Sequence, residues 1–334
     1  MAHYATKRFN YWGQLGIFAG LWGAGFILGA ITMAVPLFLS GTPQAAGKDP
    51  AEILAKLVTP ENASLIRWVQ TAGTLFMFFL PALLYARICH VKAMKHFGFD
   101  KKINIAEVGI AIIIMLACLP LVGALQQVTE MLPWSKASLA KFNAAEDQYN
   151  KLVAVIARMD NIFDYLISVI VIGLLPAIFE ETLFRGAMQN LLSRWLKKPI
   201  IAILITSVVF SALHGSYLGF LSRFALGFVL GWMYYRTGNI WINIIAHFFN
   251  NAAAVTVLYF STKPGEKIDP SKMEEHYPLW LGLLSIAVVV GLFIAFDKLG
   301  KKDIDRPGEE VLIPGYSNNP FDNNTAFQSE GNQQ

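Results

Sequence analysis

Apolar residues in this chain run in long blocks separated by short polar segments. Eight blocks stand out, at about 13–39, 67–88, 105–125, 162–190, 199–221, 223–236, 240–260 and 278–297. A helix rises about 1.5 Å per residue, so a run of roughly 20 apolar residues crosses the hydrocarbon core of a bilayer. The pattern predicts an all-α fold: a polytopic membrane helical bundle of about eight transmembrane helices. The fourth block is long. It either stops near residue 179 ahead of an interfacial helix or continues through Glu180 toward Asn190. The continuous helix is preferred, because it carries Glu180 to the middle of the bundle. In the short sixth block, Gly227 and Gly231 have the small-xxx-small spacing that lets helices approach closely.

The polar segments are equally informative. Residues 126–160 are too polar to span, but Leu139, Phe142, Ala145 and Leu152 recur roughly as one helical face, which predicts a helix lying on the outer surface. Residues 301–334 are rich in Asn and poor in aliphatic side chains, the composition of a disordered tail. The reading is therefore one transmembrane domain over 1–300, followed by a polar tail over 301–334. No internal repeat is evident, which counts against a transporter built from duplicated halves.

Composition supports the membrane assignment. The chain of 334 residues is 55% hydrophobic and 15% charged, against about 25% charged in soluble domains. Its net charge of +4 is small, and the basic residues sit between spans, so no nucleic-acid partner is expected. With Arg185 set aside, an inside N-terminus puts 15 Lys and Arg residues in inner segments and 11 in outer ones. That asymmetry predicts both termini inside; the expected location is a bacterial cytoplasmic membrane. The first apolar run is too long for a cleaved signal core and is read as a retained helix. Cys89 and Cys118 have no metal-binding spacing and are expected to be inert.

Against this background "LLPAIFEETLFRGAMQNLL", residues 174–192, is anomalous. A charge in a bilayer costs several kcal/mol, at least about 2.5, unless paired or solvated. Glu181 and Arg185 are four apart and can pair along one helical face. Glu180 points about 100° away and meets Leu183, Phe184 and Ala187 at helical spacing. A carboxylate so placed suits a general base. The fifth block adds Phe210 and His214, and the seventh adds His247 and Asn251, again four apart, with Asn243 and Asn250 nearby. His3, His90, His96 and His276 fall in loops or tails, where solvation accounts for them. Buried polar groups on separate helices are stable when they meet one another or water, so Glu180, His214, His247 and Asn251 are expected to converge.

Two chemistries fit such a pocket. Glu180 and His214 can hold and deprotonate a water that attacks a peptide carbonyl, while His247 and Asn251 stabilise the oxyanion. Alternatively, Glu180, His214 and His247 can ligate zinc, which then activates the water. No HExxH sequence supports the zinc option. A non-catalytic polar network that stabilises the bundle or binds a partner is the reading outside enzymology.

The three segments also carry a resemblance. "EETLFR" reads as EExxxR, "FSALH" as FxxxH and "HFFNN" as HxxxN, in that order, across about 160–260. The chain resembles the CPBP intramembrane proteases, which include type II CAAX prenyl endopeptidases and relatives tied to bacteriocin processing and self-immunity. The resemblance implies an intramembrane endopeptidase acting on a membrane-anchored or transmembrane peptide. It implies Glu180 as the catalytic carboxylate, Glu181 and Arg185 as its support, His214 on the water, and His247 with Asn251 as the oxyanion site. Phe210 opens the FxxxH motif. The resemblance favours glutamate-activated water and leaves zinc as the alternative cofactor.

Overall fold

The computed structural model describes residues 8–39, 58–90, 92–262, 268–270 and 277–299. The tail at 301–334, with His3 and His276, lies outside the described residues. Ten helices carry the described chain: α1 Tyr11–Leu39, α2 Pro60–Cys89, α3 Ala93–Phe97, α4 Ile105–Met131, α5 Lys136–Ile156, α6 Ile162–Leu196, α7 Pro199–Leu213, α8 Phe220–Thr237, α9 Ile240–Ser261 and α10 Leu279–Leu299. No strand is present among these residues.

Local sequence sets the helix ends. Asn104, Asn161 and Asn239 sit ahead of α4, α6 and α9, and each accepts a hydrogen bond from the backbone N–H of the following turn. These side chains satisfy donors that the helix itself leaves unpaired. Pro199 opens α7, where its missing N–H is harmless. Gly238, at φ 55°, stops α8.

Among the described residues six helices are long and apolar enough to cross a membrane: α1, α2, α4, α6, α9 and α10. The count of about eight is not confirmed. The fifth expected span ends at Leu213, because Gly215 at φ 68° turns the chain out of the helix, leaving 15 residues in α7. The sixth, α8, has 18 residues but includes Arg223 and Arg236 and is not among the six. The fourth span is continuous from Ile162 to Leu196. The segment 126–160 divides between the end of α4 and the largely exposed helix α5.

The two largest apolar clusters among the described residues hold most of the bundle together. One joins α1, α2, α3, α6 and α7 through Phe18, Phe78, Tyr85, Phe97, Phe184 and Phe210. The other joins α4, α8, α9 and α10 through Ile114, Met115, Leu230, Met233, Ala246 and Phe296. Polar residues of α6 and α9 lie where these clusters meet. One correction concerns His90 and His96: His90 is buried and its ring stacks on His96 at 3.5 Å, so solvation does not explain this pair.

Candidate active site

The site grows from an irregularity in α6. Residues Thr182–Gln189 wind as a π-helix, and Val169–Leu174 do the same two turns earlier. A π-turn widens the helix and re-aims side chains, and such segments concentrate at functional sites. Here the wide turn begins directly after Glu180 and Glu181.

Glu181 is fully buried, and both its oxygens are bonded. Its Oε1 accepts from Arg185 Nη1 at 2.8 Å and from His247 Nδ1 at 2.9 Å. Its Oε2 accepts from Asn243 Nδ2 at 3.2 Å. The expected pair of Glu181 with Arg185 is thus part of a larger knot. Arg185, also fully buried, donates through Nη2 to the carbonyl of Gly227 at 3.0 Å. One turn on, Gln189 donates to the carbonyl of Gly231 at 2.8 Å. A Cβ on residue 231 would sit 2.9 Å from both Gln189 Oε1 and an Ile203 methyl, so only glycine allows this approach. The Gly227–Gly231 spacing therefore exposes two α8 carbonyls to the charged face of α6.

Glu180 differs. It is 9% exposed, and its Oε2 is buried without a hydrogen-bond partner among the described residues. His247 Nε2 stands 4.0 Å from that oxygen. Such a gap is too long for a direct hydrogen bond and suits a bridging group.

The two imidazoles are held in complementary ways. A carboxylate only accepts, so Nδ1 of His247 carries the proton toward Glu181, leaving Nε2 toward Glu180. His214 Nδ1 lies 2.8 Å from the carbonyl of Phe210, also an acceptor only, so it donates there and keeps Nε2 unprotonated in the neutral ring. Phe210 is the hub. Its ring centroid lies 4.7 Å from that of His214, 6.1 Å from that of His247 and 4.9 Å from the Arg185 guanidinium carbon.

Glu180, Glu181, Arg185, Phe210, His214 and His247 are thus gathered from α6, α7 and α9 and the turn after α7. Asn251 stands apart: its amide reaches the Ile172 carbonyl at 3.4 Å, and Asn250 donates to Asn251 Oδ1 at 3.3 Å. No hydrogen bond joins Asn251 to Glu180, His214 or His247 among the described residues. Asn243 has a role that sequence reasoning passed over. It lies four residues before His247, as Asn251 lies four after, and this stripe was the available signal. Among the described residues no three His, Cys, Asp or Glu side chains are placed to hold a metal ion, so Glu180, His214 and His247 do not form a zinc ligand set in this arrangement. Cys89 and Cys118 are free and buried.

Known proteins bear on this site. The chain is 34% identical over 112 residues to the uncharacterized protein YpbD of Bacillus subtilis, covering 32% of this chain and 52% of that protein. It is 30% identical over 144 residues to an uncharacterized 24.3 kDa protein of Escherichia coli, covering 40% of this chain and 65% of that one. The matched part spans about half to two thirds the length of these relatives. No solved structure matches. Residues 162–253, which hold the three motifs and the polar knot, match the family described as type II CAAX prenyl endopeptidase Rce1-like, in keeping with the CPBP protease resemblance.

Proposed function

We propose that this protein is an intramembrane endopeptidase that hydrolyses a peptide bond of a membrane-anchored or transmembrane substrate. One observation carries the reading: a buried, unbonded Glu180 oxygen lies 4.0 Å from the nitrogen of an imidazole already fixed by Glu181. In this reading a water binds between Glu180 and His214. Glu180 takes its proton as the oxygen attacks the carbonyl carbon, and the neutral Nε2 of His214 accepts the water's second hydrogen bond. His247 serves the oxyanion when both its nitrogens are protonated, with a carboxylate on either side to compensate the positive ring. Asn251 completes the oxyanion site once its long bond to Ile172 is released. A lipid anchor or apolar segment already places the substrate in the bilayer, which replaces a diffusive search with a local one. With both termini inside the cytoplasmic membrane, α5 covers the outer face.

Glu180→Ala or His214→Ala abolishes cleavage of a membrane substrate on this account; wild-type turnover in either variant contradicts it. Cleavage also survives strong chelation. Loss on chelation that added zinc restores transfers the mechanism to the metal. The closed Glu181 knot also fits a non-catalytic polar network; proteoliposomes that never cleave any membrane peptide, with Glu180→Gln indistinguishable from wild type, would favour that reading.

A further inference from the structure

Glu181 holds His247 through an oxygen that it shares with Arg185. Arg185 reaches that Oε1 with Nη1 alone, at 2.8 Å, and directs Nη2 to the Gly227 carbonyl at 3.0 Å. Its Nε is buried without a hydrogen-bond partner among the described residues. A guanidinium beside a carboxylate ordinarily engages both oxygens at once, through two parallel N–H bonds. The terminal torsion of a glutamate is soft, so Glu181 turns toward that pairing unless its second oxygen is held.

Asn243 holds it. Its Nδ2 donates to Oε2 of Glu181 at 3.2 Å and to the Leu230 carbonyl of α8 at 2.6 Å. Both partners only accept, so the two hydrogens of a primary amide fit between them. A reversed amide, or an aspartate, would set oxygen against oxygen. Asn243 is fully buried, and its Oδ1 has no hydrogen-bond partner among the described residues. Burying an unsatisfied amide oxygen costs free energy, so the side chain is placed for what its nitrogen does. The Leu230 carbonyl lies between those of Gly227 and Gly231 in sequence. One stretch of α8 thus anchors Arg185, Asn243 and Gln189.

We propose that Asn243 is a positioning residue for the reaction: by occupying Oε2 of Glu181 it blocks the two-pronged pairing with Arg185 and keeps Oε1 turned to His247 Nδ1. That fixes the imidazole with Nε2 toward Glu180. The proposal rests on the endopeptidase reading above and adds a residue outside the three motifs, four positions before His247. Asn243 acts on the reaction only through Glu181 and His247. Without it, Arg185 Nε takes Oε2 and Glu181 rotates away from the ring. The imidazole then loses the acceptor that selects its tautomer.

The test reads the ring by NMR, in the full chain isotopically labelled at the histidine nitrogens, and then reads cleavage of a lipid-anchored peptide in proteoliposomes. Wild type is expected to carry a proton on His247 Nδ1 that exchanges slowly with water, assigned by its absence in His247→Gln. In Asn243→Leu that resonance is lost to exchange. Its kcat falls by about 10²-fold with KM little changed, the scale of a misaligned catalytic group. Asn243→Ser keeps one donor and is expected to fall between the two, which carries the measurement should Asn243→Leu fail to fold. Arg185→Lys supplies a sharper arm, because an ammonium cannot fork onto a carboxylate. In that background Asn243→Leu changes the resonance and kcat much less than it does beside Arg185, whereas a merely structural Asn243 costs the same in both. A His247 proton that persists in Asn243→Leu overturns the proposal. Equal losses in the two backgrounds overturn it as well, and so does an unchanged kcat in a variant that has lost the resonance. A resonance that depends on Asn243 in a protein that cleaves nothing supports the placement of the ring, and the protease reading then fails alone.

Discussion

Both oxygens of Glu181 are hydrogen bonded by three helical side chains, whereas one residue earlier Glu180 keeps an oxygen that is buried and unbonded. The two glutamates share a helix and a depth, so their difference comes from what α8 and α9 bring to each face. Arg185, Asn243 and His247 converge on Glu181, and the carbonyl of Gly227 steadies Arg185 from behind. The buried Glu180 oxygen has no hydrogen-bond partner among the described residues, and His247 Nε2 lies 4.0 Å from it. A carboxylate with three of its roughly four acceptor sites already engaged holds architecture, because little capacity is left for a substrate. An unsaturated one beside a fixed imidazole is poised for proton transfer.

The contrast is sharpest in paired substitutions. Glu180→Gln is expected to lower cleavage by about 10²–10⁴-fold, the usual range for a lost general base. Its unfolding midpoint stays at or above that of wild type, since a buried, unbonded carboxylate oxygen is removed. A lower midpoint with retained cleavage would invert the two roles.

Glu181→Gln acts on the other side. It leaves Arg185 as an uncompensated buried charge and is expected to destabilise the fold by about 3–5 kcal/mol. Equilibrium unfolding in mixed micelles measures this. Replacing both partners, as in Glu181→Leu with Arg185→Leu, recovers most of the loss, because an apolar pair of similar volume carries no desolvation penalty. Equal losses in the single and double variants would show that the pair is not what matters.

A smaller effect is expected at the margin of the knot. Gly231→Ala pushes a methyl against Gln189 Oε1 and Ile203, with a cost of about 1–3 kcal/mol. Thermal melts should show the shift.

Much of this was legible in the sequence, for physical reasons. Apolar blocks long enough to span fix helices with little ambiguity, and the Glu181–Arg185 spacing forecast its ion pair. The ends of α7 and α8 were less legible. "HGSYLG" reads as continuous with an apolar run, and only the positive φ at Gly215 shows that the helix stops at Leu213. Spacing within one helix also cannot reveal partners on another. The bonds from His247 and Asn243 to Glu181, and from Arg185 to the Gly227 carbonyl, are therefore structural findings. The stacked pair of His90 and His96 was misread for the same reason, since the short helix α3, which carries His96, packs back against the end of α2.

The account is tested most directly by turnover of a lipid-anchored peptide in proteoliposomes containing Glu180→Gln at a folded concentration matched to wild type. It predicts that the peptide binds as before and that its cleavage falls by at least about a hundredfold. Cleavage at the wild-type rate by that variant would contradict it.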